Sequence, residues 1–155
     1  MSRDIVNYLD HEFAGLINSL KDLTRLIQPD LLYRTLPAPT IGENIVRSAA
    51  AVEQMCGGLT ANLWDDPFEW TLPESLATAD LIVEYLSEVD VARQSAFNSI
   101  VDDNALSKYI SVPSGEPRLL LSLLLETLVI AADYRGRART TNKILSGEGA
   151  TGFII

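Results

Sequence analysis

Apolar positions recur with a helical period along most of the chain. Leu9, Phe13, Leu16, Leu20, Leu23 and Ile27 step alternately by four and three, the seam of a helix packed nearly parallel to its neighbours. This predicts a first helix over about 2–28, stopped by Pro29, which cannot continue the ladder. A second seam, Ile45, Ala49, Val52, Cys56, Leu59 and Leu63, follows Thr40-Ile-Gly-Glu43, which has the form of a capping box. Ile82, Tyr85, Val89, Ala92, Ala96 and Ile100 mark a third helix over about 75–101. The fourth carries Leu120, Leu124, Thr127, Ala131, Tyr134, Ala138, Thr141 and Leu145, with Ser114 as N-cap, Pro117 in the first turn and Gly147 just past the end.

The connections complete the architecture. PDLLYRTLPAP, with three prolines, suits a loop pinned between helices one and two. Residues 65–73 can span ~30–40 Å when extended, enough to return the chain to the far end of the bundle. The expected fold is therefore an all-α four-helix bundle with a long crossover between helices two and three. Trp64, Phe68 and Trp70 are expected to pack on its bundle side. Gly57-Gly58 weakens helix two, which predicts a close approach by another helix there. The bundle occupies 1–147, and a tail, 148–155, ends in Phe153-Ile154-Ile155. An apolar terminus beyond a Gly-rich hinge is expected to dock in a groove.

Helix four adds Leu119, Leu121, Leu123, Leu125, Leu128, Val129 and Ile130 to its seam. Its first half is thus apolar on every side and calls for cover all round. Three neighbours supply only part of that cover, so a homodimer through helix four is expected.

Charge narrows the function classes. The 155 residues carry a net charge of −9, and ten acids but only Arg93 as a base lie between residues 65 and 103. An acidic third helix repels phosphate backbones and anionic surfaces, which disfavours nucleic acid and membrane as partners. The basic end of helix four (Arg135, Arg137, Arg139, Lys143) suits the negative end of its dipole and offers pairing to helix three. Cys56 is the only cysteine, so no intrachain disulfide forms and a reducing compartment fits. No secretory signal opens the chain. The apolar run at 119–132, interrupted by Ser122, Glu126 and Thr127, is too short to span a bilayer. A cytoplasmic protein is expected.

Candidate chemistry is sparse. Glu126 stands alone in the apolar run, and with Glu53 and Asp133 it is a weak candidate for a carboxylate site holding Mg²⁺ or Mn²⁺. The plainer expectation pairs Glu126 with an arginine such as Arg47 and places Asp133 in a surface pair. Cys56 falls on an apolar seam and reads as a structural thiol. His11 is the only histidine and reads as a helix-surface residue. No Gly-rich phosphate loop follows a strand.

Three stretches together resemble the DinB-like superfamily of metal-binding four-helix bundles. Thr40-Ile-Gly-Glu-Asn-Ile-Val-Arg47 is similar to that family's Ser-Ile-Gly opening of helix two. Asp102-Asp103-Asn-Ala-Leu-Ser107 matches its turn after helix three, and Tyr134-Arg-Gly-Arg137 is similar to its His-Arg-Gly-Gln. The resemblance implies up-down-down-up topology, frequent dimers and a site of three histidines that activates a thiol or water. Those histidines fall here on Arg47 or Ser48, Ile130 and Tyr134, none a good ligand. The reading is a metal-free, cofactor-free, non-catalytic homodimer, binding a small molecule or a partner. Its pocket would lie where the metal would have been, lined by Arg47, Ser48, Ala51, Glu126, Ile130 and Tyr134. The alternative is a remodelled transferase- or hydrolase-type enzyme, using a carboxylate-held metal or metal-free acid–base chemistry through Tyr134, Glu126 and Arg47. A purely structural dimer with a filled core is a third possibility.

Overall fold

A computed structural model of the chain describes residues 1–35, 38–69 and 74–147. Four helices form an all-α bundle: α1 (Asp4–Leu26), α2 (Ile41–Ala61), α3 (Ala79–Asn98) and α4 (Leu120–Leu145). Their inward faces share one apolar core, in which Phe13, Ile17, Leu20, Ile45, Ile82, Leu86, Phe97 and Leu124 are fully buried. The rings of Phe13 and Phe97 meet at 5.5 Å between centroids. Among the described residues no helix is long and apolar enough to cross a membrane.

Polar groups set the helix pairing. Arg3, just before α1, donates to the carbonyls of Phe97 (2.6 Å) and Ile100 (3.1 Å) at the end of α3. Further along, Arg93 of α3 bridges Asp10 of α1 and Asp90 of its own helix. α1 and α3 therefore run antiparallel. α2 packs against both α3 and α4.

Helix ends are served by distant chain. Arg3, at the N-cap of α1, supplies no side-chain cap, although the Ser2 hydroxyl accepts from the Asp4 N–H at 3.2 Å. The Asp103 carboxylate accepts from the backbone N–H groups of Val6 (3.0 Å) and Ile5 (3.2 Å), filling two of the orphan donors of a helix start. Desolvation opposes the effect, but the Val6, Ile5 and Asp4 N–H groups and the Ser2 hydroxyl together hold the Asp103 carboxyl below its ordinary range. Asp102 meanwhile caps the short 3₁₀ turn Asp103–Ser107. At the start of α2, the Thr40 hydroxyl accepts from the Glu43 N–H at 3.1 Å, the forward half of the expected capping box. Tyr33 lies across Gly42 so closely that a Cβ there would be 2.4 Å from its ring. Its hydroxyl donates to the Leu76 carbonyl at 2.5 Å. Burial, helped by Glu43 and Glu74, pushes the Tyr33 phenol up to about 12.

Several sequence expectations need correction. Gly57-Gly58 receives no helix. The chain turns at Asn62, which is left-handed (φ 55°) and donates to the Gly58 carbonyl, while Leu63 N–H reaches Gly57. This helix-ending loop folds Trp64 back onto Gly58. α4 starts at Leu120, and Ser114 does not cap it. Arg118–Leu119 (β2) is extended because it pairs antiparallel with Tyr109–Ile110 (β1), and Leu120 N–H continues the ladder to the Lys108 carbonyl. The three arginines of α4 have partners other than the acids of α3. Arg139 donates to Ser19 of α1 at 2.6 Å, and Arg137 pairs with Asp133 on its own helix at 2.8 Å. Arg135 faces Glu12 of α1, and burial together with neighbouring Arg139 lowers its pKa. Trp70 and the tail at 148–155 lie outside the described residues.

Candidate ligand cleft between α2 and α4

α2 and α4 meet at the small residues Ser48 and Ala131. Ser48 is fully buried, and its hydroxyl donates to the Ala131 carbonyl of α4 at 2.7 Å. The seam opens on either side of this contact.

Toward the start of α4 lies a cleft of about 360 Å³, lined by Ala51, Gln54, Met55, Trp64, Leu123, Thr127 and the 112–114 turn. Two of its polar side chains already have partners. Thr127 Oγ1 donates to Leu123 and Gln54 Nε2 to the Trp64 carbonyl, both at 2.8 Å.

Toward the end of α4 lies a second cleft of about 550 Å³, lined by Pro39, Asn44, Ala132, Asp133, Gly136, Arg137, Thr140 and Thr141. These two sets of lining residues also show that α2 and α4 run antiparallel. Asn44 is only 1% exposed, yet its Oδ1 has no hydrogen-bond donor. A buried amide oxygen without a partner costs about 1–3 kcal/mol. Gly136 leaves the opposite wall open, since a Cβ there would meet nothing within 4 Å. The Asp133–Arg137 pair is more than half exposed on both sides and adds little stability. Of these two clefts, the second combines space with an unmet acceptor.

No single one of the clefts described among these residues is lined by all the residues singled out from the sequence. Ser48 is spent on Ala131, and Ala51 lines the first cleft. The Arg47 guanidinium stacks over Phe68, 3.8 Å from the ring centroid. Glu126 is exposed and pairs with Arg118, not Arg47, because α4 turns this face outward. Ile130 is 49% exposed. Tyr134 is half-buried, with the Arg137 guanidinium 5.3 Å from its ring centroid. The carboxylates considered for a cation are likewise separately engaged. Glu53 accepts from Tyr85 Oη at 2.5 Å, Glu126 from Arg118 and Asp133 from Arg137. No group of three or more metal-capable side chains occurs among the described residues.

Cys56 is buried. Burial pushes its thiol up to about 12, outweighing the opposite pull of Arg93, so it is a poor nucleophile at neutral pH. His11 is exposed on α1.

Asn44, Gly136, Thr140 and Thr141 were not legible as a set. A faint signal existed in Asn44, a poor helix former placed one residue before the apolar seam of α2. Compared with known proteins, the chain matches no family model and no curated protein sequence.

Proposed function

We propose that this protein is a DinB-like bundle without that family's metal-binding histidines, acting as a homodimeric binding module for a small molecule. The observation that carries the binding reading is Asn44, whose buried Oδ1 lacks a donor beside an open cleft. A catalyst would need reactive groups converging on one point. Tyr134, Glu126 and Arg47 instead have separate partners.

The dimer rests on α4. Leu125, Val129 and Ile130 remain 45%, 68% and 49% exposed within the apolar half of that helix. Covering such side chains contributes roughly 25 cal/mol per Å² of apolar surface.

Two measurements on one preparation test the reading. Light scattering should give twice the chain mass, and Val129→Asp should return it to one chain with helicity unchanged. Elemental analysis of untagged protein should find no stoichiometric metal. A monomeric wild type would remove the dimer, and a bound stoichiometric metal would replace the metal-free module with a metalloprotein.

A further inference from the structure

The second α2–α4 cleft allows the proposed binding reading to be carried further, to the chemistry of the ligand. Among the described residues, only Asn44 Oδ1 and Arg135 Nε are buried side-chain polar atoms without a partner. Arg135 sits at the α1 side, near Glu12. Asn44 lines the cleft. Its unmet group is an oxygen, which accepts and cannot donate. An anion would be repelled by that oxygen and by Asp133. A free cation would meet the Arg137 guanidinium in the same lining. A metal ion would find no cluster of ligands. The remaining walls, Pro39, Ala132 and Gly136, are small and carry no polar side chain. Small-molecule sites of this kind have a largely apolar body and a few polar groups that fix orientation.

We infer that the cleft binds a small neutral molecule with an apolar body, which donates an N–H or O–H hydrogen bond to Asn44 Oδ1. Amides that keep an N–H and alcohols are two sources of such a donor. The Thr140 and Thr141 hydroxyls, which also line the cleft, offer secondary contacts. The inference rests on the binding-module reading and adds which chemical class the module selects.

The test is a ¹H–¹⁵N NMR titration of the full chain with four probes at millimolar concentration. Benzamide and cyclohexanol carry donors; N,N-dimethylbenzamide and cyclohexanone are their donor-free counterparts. Benzamide or cyclohexanol should shift the Asn44 side-chain amide and the backbone of 132–141. The matching donor-free probe should bind about tenfold more weakly, since it leaves Asn44 unmet. Gly136→Leu fills open space and should abolish binding while the spectrum stays folded. Asn44→Leu should erase the donor preference without lowering the melting temperature, because it removes an unpaired buried oxygen.

Equal affinity for probes with and without a donor would overturn the donor assignment and leave the cleft as a site. No shift from any probe would overturn the inference and the small-molecule reading together, leaving Asn44 to water. A preference that survives Asn44→Leu would place the ligand elsewhere. A lower melting temperature in that variant would make Asn44 a structural residue and sink the inference.

Discussion

The six-membered part of the Trp64 indole lies on Gly58 so closely that a Cβ on the glycine would fall 2.3 Å from the ring. This pair closes the end of α2. Gln54 secures it by donating to the Trp64 carbonyl, and Trp64 in turn borders two hollows on that side of the molecule.

Gly58→Ala should therefore displace Trp64. The gain in helix propensity is about 1 kcal/mol, while overpacking costs about 1–3 kcal/mol. A net loss of stability, with a weaker near-UV circular dichroism signal, is expected. Gly136→Ala has the opposite sign. Its Cβ meets nothing, so the helical gain of up to about 1 kcal/mol stands alone. Denaturant melts of the two variants side by side check the contrast.

Asp103 makes α1 sensitive to acid. Its folded pKa is depressed, so its contribution is present above the ordinary aspartate value of about 3.9. It is lost as pH falls through the lower folded value. Asp103→Ala should remove that pH dependence and raise amide exchange at Ile5 and Val6 at neutral pH. Unchanged exchange at those two amides would show that the carboxylate does not hold the helix start.

Arg93 ties α3 to α1. Its side chain is 10% exposed between Asp10 and Asp90, which are 31% and 24% exposed. Burial alone would lower its pKa, but the bonds and charges of Asp90 and Asp10 raise it. The guanidinium stays charged at any ordinary pH. Because the two partners keep partial access to water, Arg93→Met should cost about 1–3 kcal/mol, less than breaking a fully buried pair. A urea midpoint unchanged from wild type would refute the estimate.

The four helices were legible because their seams repeat at helical spacing. Leu9 to Ile27 and Ile82 to Ile100 are buried largely as that spacing demands. The errors have physical causes. Ser114 and Pro117 look like a helix start, but α4 waits until Leu120 because Arg118–Leu119 pairs with Tyr109–Ile110, and strand pairing is non-local. Glu126 drew attention as the one acid within an apolar, leucine-rich run. Glu126 lies on the same outward face as the exposed Leu125, Val129 and Ile130, and the carboxylate emerges beside Arg118. The Gly57-Gly58 pair correctly signalled a close approach, but Trp64, just beyond the helix, makes it. The cleft escaped notice for a different reason. Asn44 and Gly136 are individually unremarkable, and only the packing of α2 on α4 brings them together.

Asp103 also bears on when the fold can be completed. The first turn of α1 depends on a carboxylate 97 and 98 residues downstream, and Arg3 depends on carbonyls 94 and 97 residues downstream. During synthesis, the opening helix emerges long before those partners exist. Its first turn can dock only after the end of α3 has left the ribosome. Contacts of such sequence separation slow folding, so α1, made before α3, is secured only after it.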